Sequence, residues 1–316
     1  MKLIHIFVVF SGLLASLAVL QTPTFVLVFL AVTFMYVGFS ESWNLVGGYI
    51  GYLSLGHGAL FGVSAYTVAI LWNFYKISPL ITPFIGAFFA MLVAICIGYP
   101  TLRLRGYYFA LATLSLPLIA SGLVNSFPDV TLAGRGIPNV SPPEIAFLLR
   151  PNAYYAMFLG YMILCVLIAY KVENSKFGHG LMAIREDEDA AAVCGINATK
   201  MKVEAFMLSG FLTGIAGGLF ASYLTYVSPS SVFGILLSVT PVLMTILGGR
   251  GRWIGPVIGA ITLDLLRNYI SYSVLSVLNS LVLGVVLIVI VLLAPKGIYG
   301  VITQGVMRYV GRKGHS

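Results

Sequence analysis

Ten apolar runs, each close to the length of a membrane span, follow one another with little between them. They lie near residues 3–20, 24–40, 58–75, 80–99, 107–124, 153–170, 203–225, 234–248, 254–271 and 275–294. A bilayer core takes about 20 helical residues. Backbone inside it must satisfy its own hydrogen bonds, so runs of this length read as helices. The run at 254–271 is the weakest, because it holds Asp264 and Arg267. Charged residues are 9% of the 316, against roughly 25% in a soluble domain. The expected fold is all-α: a polytopic membrane protein of about 8–10 transmembrane helices in a single transmembrane domain over 1–316. The first run leads into further spans and reads as the first helix, not as a removed signal.

Lysine and arginine orient the spans. With the N-terminus in the cytoplasm, inside segments carry Lys2, Arg103, Arg105, Lys171, Lys176, Arg185, Lys200, Lys202, Arg250, Arg252, Lys296, Arg308, Arg312 and Lys313. Only Lys76, Arg135, Arg150 and Arg267 fall outside. The bias predicts cytoplasmic termini, a cytoplasmic loop over 171–202, and a proline-rich outer loop over 125–152. The basic residues form no stripe or patch, so the charge of +8 orients the chain and does not bind nucleic acid.

The densest charge lies in that inner loop, where Glu186, Asp187, Glu188 and Asp189 follow Arg185 and precede Ala190, Ala191 and Gly195. Such a block must face water. A short polar helix stopped by glycine and projecting between two spans suits docking of a soluble partner. Arg185, Glu186, Glu188, Asp189, Ala190, Ala191 and Gly195 are the candidate docking residues.

A second segment, 47–58, carries Gly47, Gly48, Gly51 and Gly56, with Gly58 closing the run. Two readings stand. It is a broken or re-entrant stretch lining a translocation path, with Gly48, Gly51, Ser54, Gly56 and His57 as candidates; irregular membrane backbone survives where protein buries it or it lines a cavity. Alternatively its small residues let helices pack closely, and His57 is a hydrogen-bonded packing residue. Gly58/Gly62, Gly210/Gly214/Gly217/Gly218 and Gly255/Gly259 read as further packing faces.

Other polar features read as structural. Gly248–Pro256 matches no phosphate-loop pattern and predicts a cytoplasmic turn with Trp253 as interfacial anchor. Asp264 and Arg267 stand one turn apart and are expected to pair. Glu41 sits beside Trp43 at a span end, a functional or a structural acid. Cys96, Cys165 and Cys194 have no metal-ligand spacing and read as small core residues. Four scattered histidines and no nucleophile motif leave no catalytic constellation, no metal site and no cofactor site; the chain reads as a non-enzyme.

Several ordered stretches resemble the branched-chain amino acid permease family of ABC importers, the LivM/LivH type, most closely its M-type subunit. They are Gly48–His57 with Ala65-Tyr66, Arg105–Leu114, Gly178–Glu188 continuing through Ala190-Ala191 and Gly195–Asn197, Lys202–Phe206, Leu247–Gly249, Gly255–Ala260 and Pro295–Gly297. The resemblance implies one permease subunit in the cell membrane, paired with a homologous permease. Two cytoplasmic subunits would bind and hydrolyse ATP, and an extracytoplasmic binding protein would deliver substrate. It makes 185–194 the coupling helix and adds Tyr108 and Thr113 to the candidate path. The chain departs from the family at Thr131–Ile137, where Arg135 intrudes, at Ser238–Pro241, and at Tyr52, where glutamine is common. The substrate expected is a branched-chain amino acid, with urea or a short amide as the alternative. An ion-coupled secondary transporter is the competing class. It needs membrane acids or bases for coupling, and only Glu41, Asp264 and Arg267 qualify. A purely structural scaffold would leave the acidic loop without a purpose.

Overall fold

The computed structural model describes residues 23–78, 80–104, 106–131, 136–138, 151–224, 226–271 and 297–301, with isolated positions elsewhere. The spans expected at 3–20 and 275–294, and Arg105 and Arg135, lie outside the described residues. Helices α1 (Thr24–Asn44), α2 (His57–Tyr75), α3 (Thr82–Thr101), α4 (Tyr107–Ser126), α5 (Pro128–Thr131) and α6 (Pro151–Glu173) come first in chain order. The short helices α7 (Lys176–Glu186) and α8 (Glu188–Val193), then α9 (Ala198–Leu224), α10 (Pro229–Val232), α11 (Ile235–Gly248) and α12 (Ile254–Ser271), follow. Among the described residues, seven helical stretches are long and apolar enough to cross a membrane. The helix at 254–271 forms as expected but, with its two charges, falls outside that set.

α1 and α9 form the centre of the bundle. α9 lies against α3 and α2, while α1 lies against α6, α9, α11 and α12. The glycines of α9 make this possible: a methyl at Gly210 would meet Ala94, at Gly214 the backbone of Ala87, and at Gly218 that of Pro83. Their packing role is thus the observed one. α4 packs thinly, and Leu111, Ile119 and Leu123 point out of the bundle. Its Pro117 has no N–H, so the Thr113 carbonyl lacks its helical donor; Gly56 packs close to that oxygen.

α1 runs on into a π-helical turn, Leu45–Ile50, so this span reaches ten residues past the apolar run. Gly51, at φ +84°, ends it, and the chain stays irregular until His57. At the end of the bundle remote from α8, a two-residue bridge pairs Ile137 with Val227 and Pro138 with Tyr226.

The acidic segment is not one helix over 185–194. It breaks at Asp187, whose extended backbone (φ −158°, ψ 113°) separates α7 from α8. The Asp187 carboxylate accepts from the amides of Asp189 and Ala190 at 2.9 and 3.0 Å, which satisfies two of the free donors of α8. Gly195, at φ +84°, closes α8, with the Ile196 amide on the Ala191 carbonyl at 3.1 Å. Asp187→Ala is expected to destabilise α8 by about 1 kcal/mol. Faster amide hydrogen exchange at residues 189 and 190, with the rest of the bundle unchanged, is the check.

Candidate functional site

The acidic segment, the broken helix and the glycine-rich turn at 248–256 meet at one end of the bundle. Arg185 holds them together. Its guanidinium donates to the Gly48 carbonyl at 3.0 Å and pairs with Glu186 at 2.8 Å. The side chain passes over Gly51 and Gly251, where any Cβ would meet it; both hold positive φ, +84° and +79°. Asn44 ties the same turn to α1: its Oδ1 accepts from the Gly251 amide at 3.0 Å and its Nδ2 donates to the Arg252 carbonyl at 3.1 Å. Glu173 on α6 adds a third tie, accepting from the Trp253 amide at 2.7 Å and lying 3.6 Å from Arg252. Trp253 is therefore not an exposed interfacial anchor. It is buried, edge-on to Phe7 and Tyr170, because the Asn44 and Glu173 bonds draw the turn inward.

Beside Arg185, Glu188 at the start of α8 binds Lys202 of α9 at 2.6 Å. Lys202 is only 3% exposed. Its ammonium also donates to the Tyr52 hydroxyl at 3.2 Å and the Leu102 carbonyl at 3.3 Å, and lies 4.9 Å above the Tyr52 ring. Tyr52 in turn donates to the second Glu188 oxygen at 3.1 Å. All three ammonium donors are thus satisfied. A cavity of about 470 Å³ opens here, lined by Gly51, Tyr52, Tyr107, Arg185 and Glu188.

The candidate path residues do not gather round one cavity. Gly51 lines the one just described, and Gly48 presents its carbonyl to Arg185. Ser54, Gly56, His57 and Thr113 are fully buried. Tyr108 is exposed on the outer face of α4, and its neighbour Tyr107 lines the cavity. His57 is a hydrogen-bonded packing residue: Nδ1 lies 3.1 Å from Ser54 Oγ and Nε2 2.7 Å from Ser209 Oγ. Ser209 donates to the Ser42 carbonyl, and Ser42 Oγ lies 2.9 Å from Thr213. Thr113 accepts from the Leu55 amide at 3.0 Å, and Ser238 from the Gly58 amide at 3.1 Å. These bonds seat the irregular stretch.

Asp264, Arg267 and two of the three cysteines differ from expectation. Asp264 and Arg267 do not form an ion pair. Asp264 accepts from Thr33 at 2.6 Å, and Arg267 donates to Tyr36 at 3.3 Å. Residues 33 and 36 stand one turn apart on α1, as 264 and 267 do on α12, so each charge finds a hydroxyl across the interface. Glu41 is fully buried, with no hydrogen-bond partner at either carboxyl oxygen among the described residues. Of the cysteines only Cys165 is a core residue; Cys96 and Cys194 are exposed, on the outer side of α3 and just past α8.

The Lys202–Glu188–Tyr52 cluster, the Asn44 and Glu173 ties and the course of Arg185 are not legible from composition or periodicity. Lys202 stood out only within the stretch that carried the family resemblance. Of the docking candidates, Glu186, Asp189, Ala190 and Gly195 face outward, Ala191 is buried against the bundle, and Arg185 and Glu188 turn inward.

Residues 25–291 match the model of a family described as branched-chain amino acid transport system / permease component. The chain is 27% identical over 295 residues to the high-affinity branched-chain amino acid transport system permease protein LivM of Escherichia coli K12, covering 84% of this chain and 68% of the relative. It is 26% identical over 313 residues to the probable branched-chain amino acid transport permease protein LivH of Methanocaldococcus jannaschii, covering 93% and 90%. It is also 31% identical over 159 residues to the ribose import permease protein RbsC of Bacillus subtilis, covering 48% and 47%. No solved structure matches the chain.

Proposed function

Since the chain belongs to the permease-component family of branched-chain amino acid transport systems, we propose that it is a transmembrane subunit of an ATP-driven importer that carries branched-chain amino acids. The observation that carries this reading is the mechanical tie between the acidic segment and the broken helix, made by Arg185 on Gly48 and by Glu188 with Lys202 and Tyr52. The permease needs no chemistry of its own. It needs two packings that a partner can bias.

In this reading α8 is the coupling helix. Its outward residues, among them Asp189, Ala190 and Val193, dock on two cytoplasmic ATPases. Val193 is 90% exposed, an apolar side chain well suited to a protein contact. Closure of the ATPases shifts α7 and α8 as a body, and Arg185 and Glu188 pass the shift to Gly48–Tyr52. The path runs past that stretch, alongside α4, whose bare face adjoins a homologous permease subunit. A binding protein delivers substrate at the opposite, extracytoplasmic end. This chain binds no cofactor; ATP is used by the partners. The distribution of lysine and arginine supports cytoplasmic termini, and the importer reading places the chain in the cell membrane.

The test is reconstitution in liposomes with the candidate ATPases, partner permease and binding protein. Leucine uptake that requires both ATP and binding protein is expected. Uptake driven by a proton or sodium gradient without ATPases would favour a secondary transporter instead. Ala191→Glu places a charge at a buried contact of α8, and Gly195→Pro demands φ near −65° where the chain holds +84°. Both variants are expected to insert normally and hydrolyse ATP, but to lose at least tenfold in uptake per ATP. Normal uptake by a well-expressed double variant would remove α8 from the coupling role.

A further inference from the structure

A second cavity, of about 560 Å³, opens at the end of the bundle remote from Arg185. That is within the range of about 300–1,000 Å³ typical of small-molecule sites. Its floor and walls come from four separate segments: Tyr36 on α1, Leu118 on α4, Phe220 on α9, and Leu236 and Thr240 on α11. Arg267 of α12 reaches it from the side. Two further hydroxyls, Ser230 and Ser231, stand on its rim, and no acidic side chain lines it among the described residues.

Arg267 is exposed near the end of α12. An arginine on a helix packed among membrane spans is kept where it lines a path or finds a partner. The acid one turn away does not neutralise it at contact distance, since Asp264 is turned onto Thr33 at 2.6 Å. A guanidinium carries five N–H donors in a planar fork. The hydrogen bond seen among the described residues is the one to Tyr36, at 3.3 Å. The cavity thus presents a cation with spare, forked donors at one side of an apolar chamber. That geometry matches a carboxylate, which takes two parallel N–H bonds, attached to a branched aliphatic group.

We propose that this cavity is a substrate subsite in which Arg267 binds the α-carboxylate of an apolar amino acid while Leu118, Phe220 and Leu236 hold its side chain. The inference rests on the importer reading and sharpens it. Sugars, urea and short amides are neutral and offer the guanidinium no anionic partner, so the site selects amino acids over the other cargoes considered for this chain. The cavity lies at the end where the charge bias puts the outside, the end at which a binding protein would release its ligand.

The experiment is equilibrium binding of radiolabelled leucine to the complete purified complex without binding protein, with two competitors. Isovalerate keeps a carboxylate and the isobutyl group but lacks the amine-bearing α-carbon; leucinamide keeps the amine and branched chain but lacks the carboxylate. Isovalerate is expected to displace leucine, and leucinamide to do so at least tenfold less well. Arg267→Gln should weaken leucine binding at least tenfold, and Arg267→Lys less. Gly160→Ala, at an open position of α6 that does not line the cavity, controls for general disruption and should stay within about threefold of the parent. Unchanged leucine affinity in Arg267→Gln, or leucinamide competing as well as isovalerate, would overturn the proposal. ATP- and binding-protein-dependent uptake by the parent complex is scored separately. If it persists while Arg267→Gln behaves as parent, the subsite fails and the importer reading stands; if it is absent, the importer reading itself fails.

Discussion

Lys202→Met is expected to destabilise the subunit by about 3 kcal/mol, at the lower end of the range for breaking a buried ion pair from one side. The lower end applies because Glu188 keeps 21% of its side chain exposed, against 4% for Lys202. Methionine replaces the buried stem at nearly equal length, so the loss reports the charge and not a cavity. What remains is a Glu188 carboxylate that has lost its buried ammonium and keeps the Tyr52 hydroxyl at 3.1 Å, together with a Leu102 carbonyl stripped of that donor. Glu188→Gln leaves the opposite problem, a cation with no anion in a site that is almost closed. The double variant removes both charges and should recover much of the loss, giving a coupling of roughly 1–3 kcal/mol. Thermal melting of the four corners of this cycle in detergent is the measurement. Additive losses would mean that the pair is not a unit. In the proposed importer, the single variants should also waste ATP, because Glu188 ties α8 to the broken-helix stretch through Tyr52.

Span-level architecture was legible because hydrocarbon imposes a simple rule: the apolar runs within the described residues became helices with shifts of a few residues at most ends. The exceptions have physical causes. α1 ran ten residues further because glycines and small residues that look helix-breaking in water are stable in a π-helical turn once Trp43, Asn44 and Gly251 pack against it. The acidic segment broke in two because Asp187 competes for the free amides of α8, a local effect that a charge count does not reveal. Asp264 and Arg267 are near neighbours in sequence, yet their partners lie on α1, more than 200 residues away. Periodicity along one helix says nothing of the hydroxyls on another. For the same reason Lys202, Glu188 and Tyr52 could each be noted but not assembled. Arg267 counted in the charge bias as an outside residue, while the cavity it serves is made with α1, α4, α9, α10 and α11 and was invisible until they were packed.

Gly259→Ala should cost at least about 3 kcal/mol, the upper end of the overpacking range, although it adds a single methyl group. α11 and α12 touch backbone to backbone. A Cβ at Gly259 would run into the Met244 carbonyl and come within 2.7 Å of the Gly248 amide nitrogen, and one at Gly255 would run into the Gly249 carbonyl. A flexible side chain can swing aside from an added methyl, but main-chain atoms inside two helices cannot, so the helices themselves must separate. Gly160→Ala and Gly122→Ala provide the contrast, since nothing lies within 4 Å of a Cβ at either position. Both should be neutral or gain up to about 1 kcal/mol from better helix propensity. Melting temperatures of the three variants decide the matter, and equal values would show that the α11–α12 contact is looser than the structure has it. The consequence reaches the far cavity. Thr240 of α11 and Arg267 of α12 both line it, and Arg267 is eight residues, about 12 Å at 1.5 Å per residue, beyond Gly259. Forcing the two helices apart at Gly259 should therefore weaken leucine binding as well as stability, whereas the alanine at Gly160 should change neither.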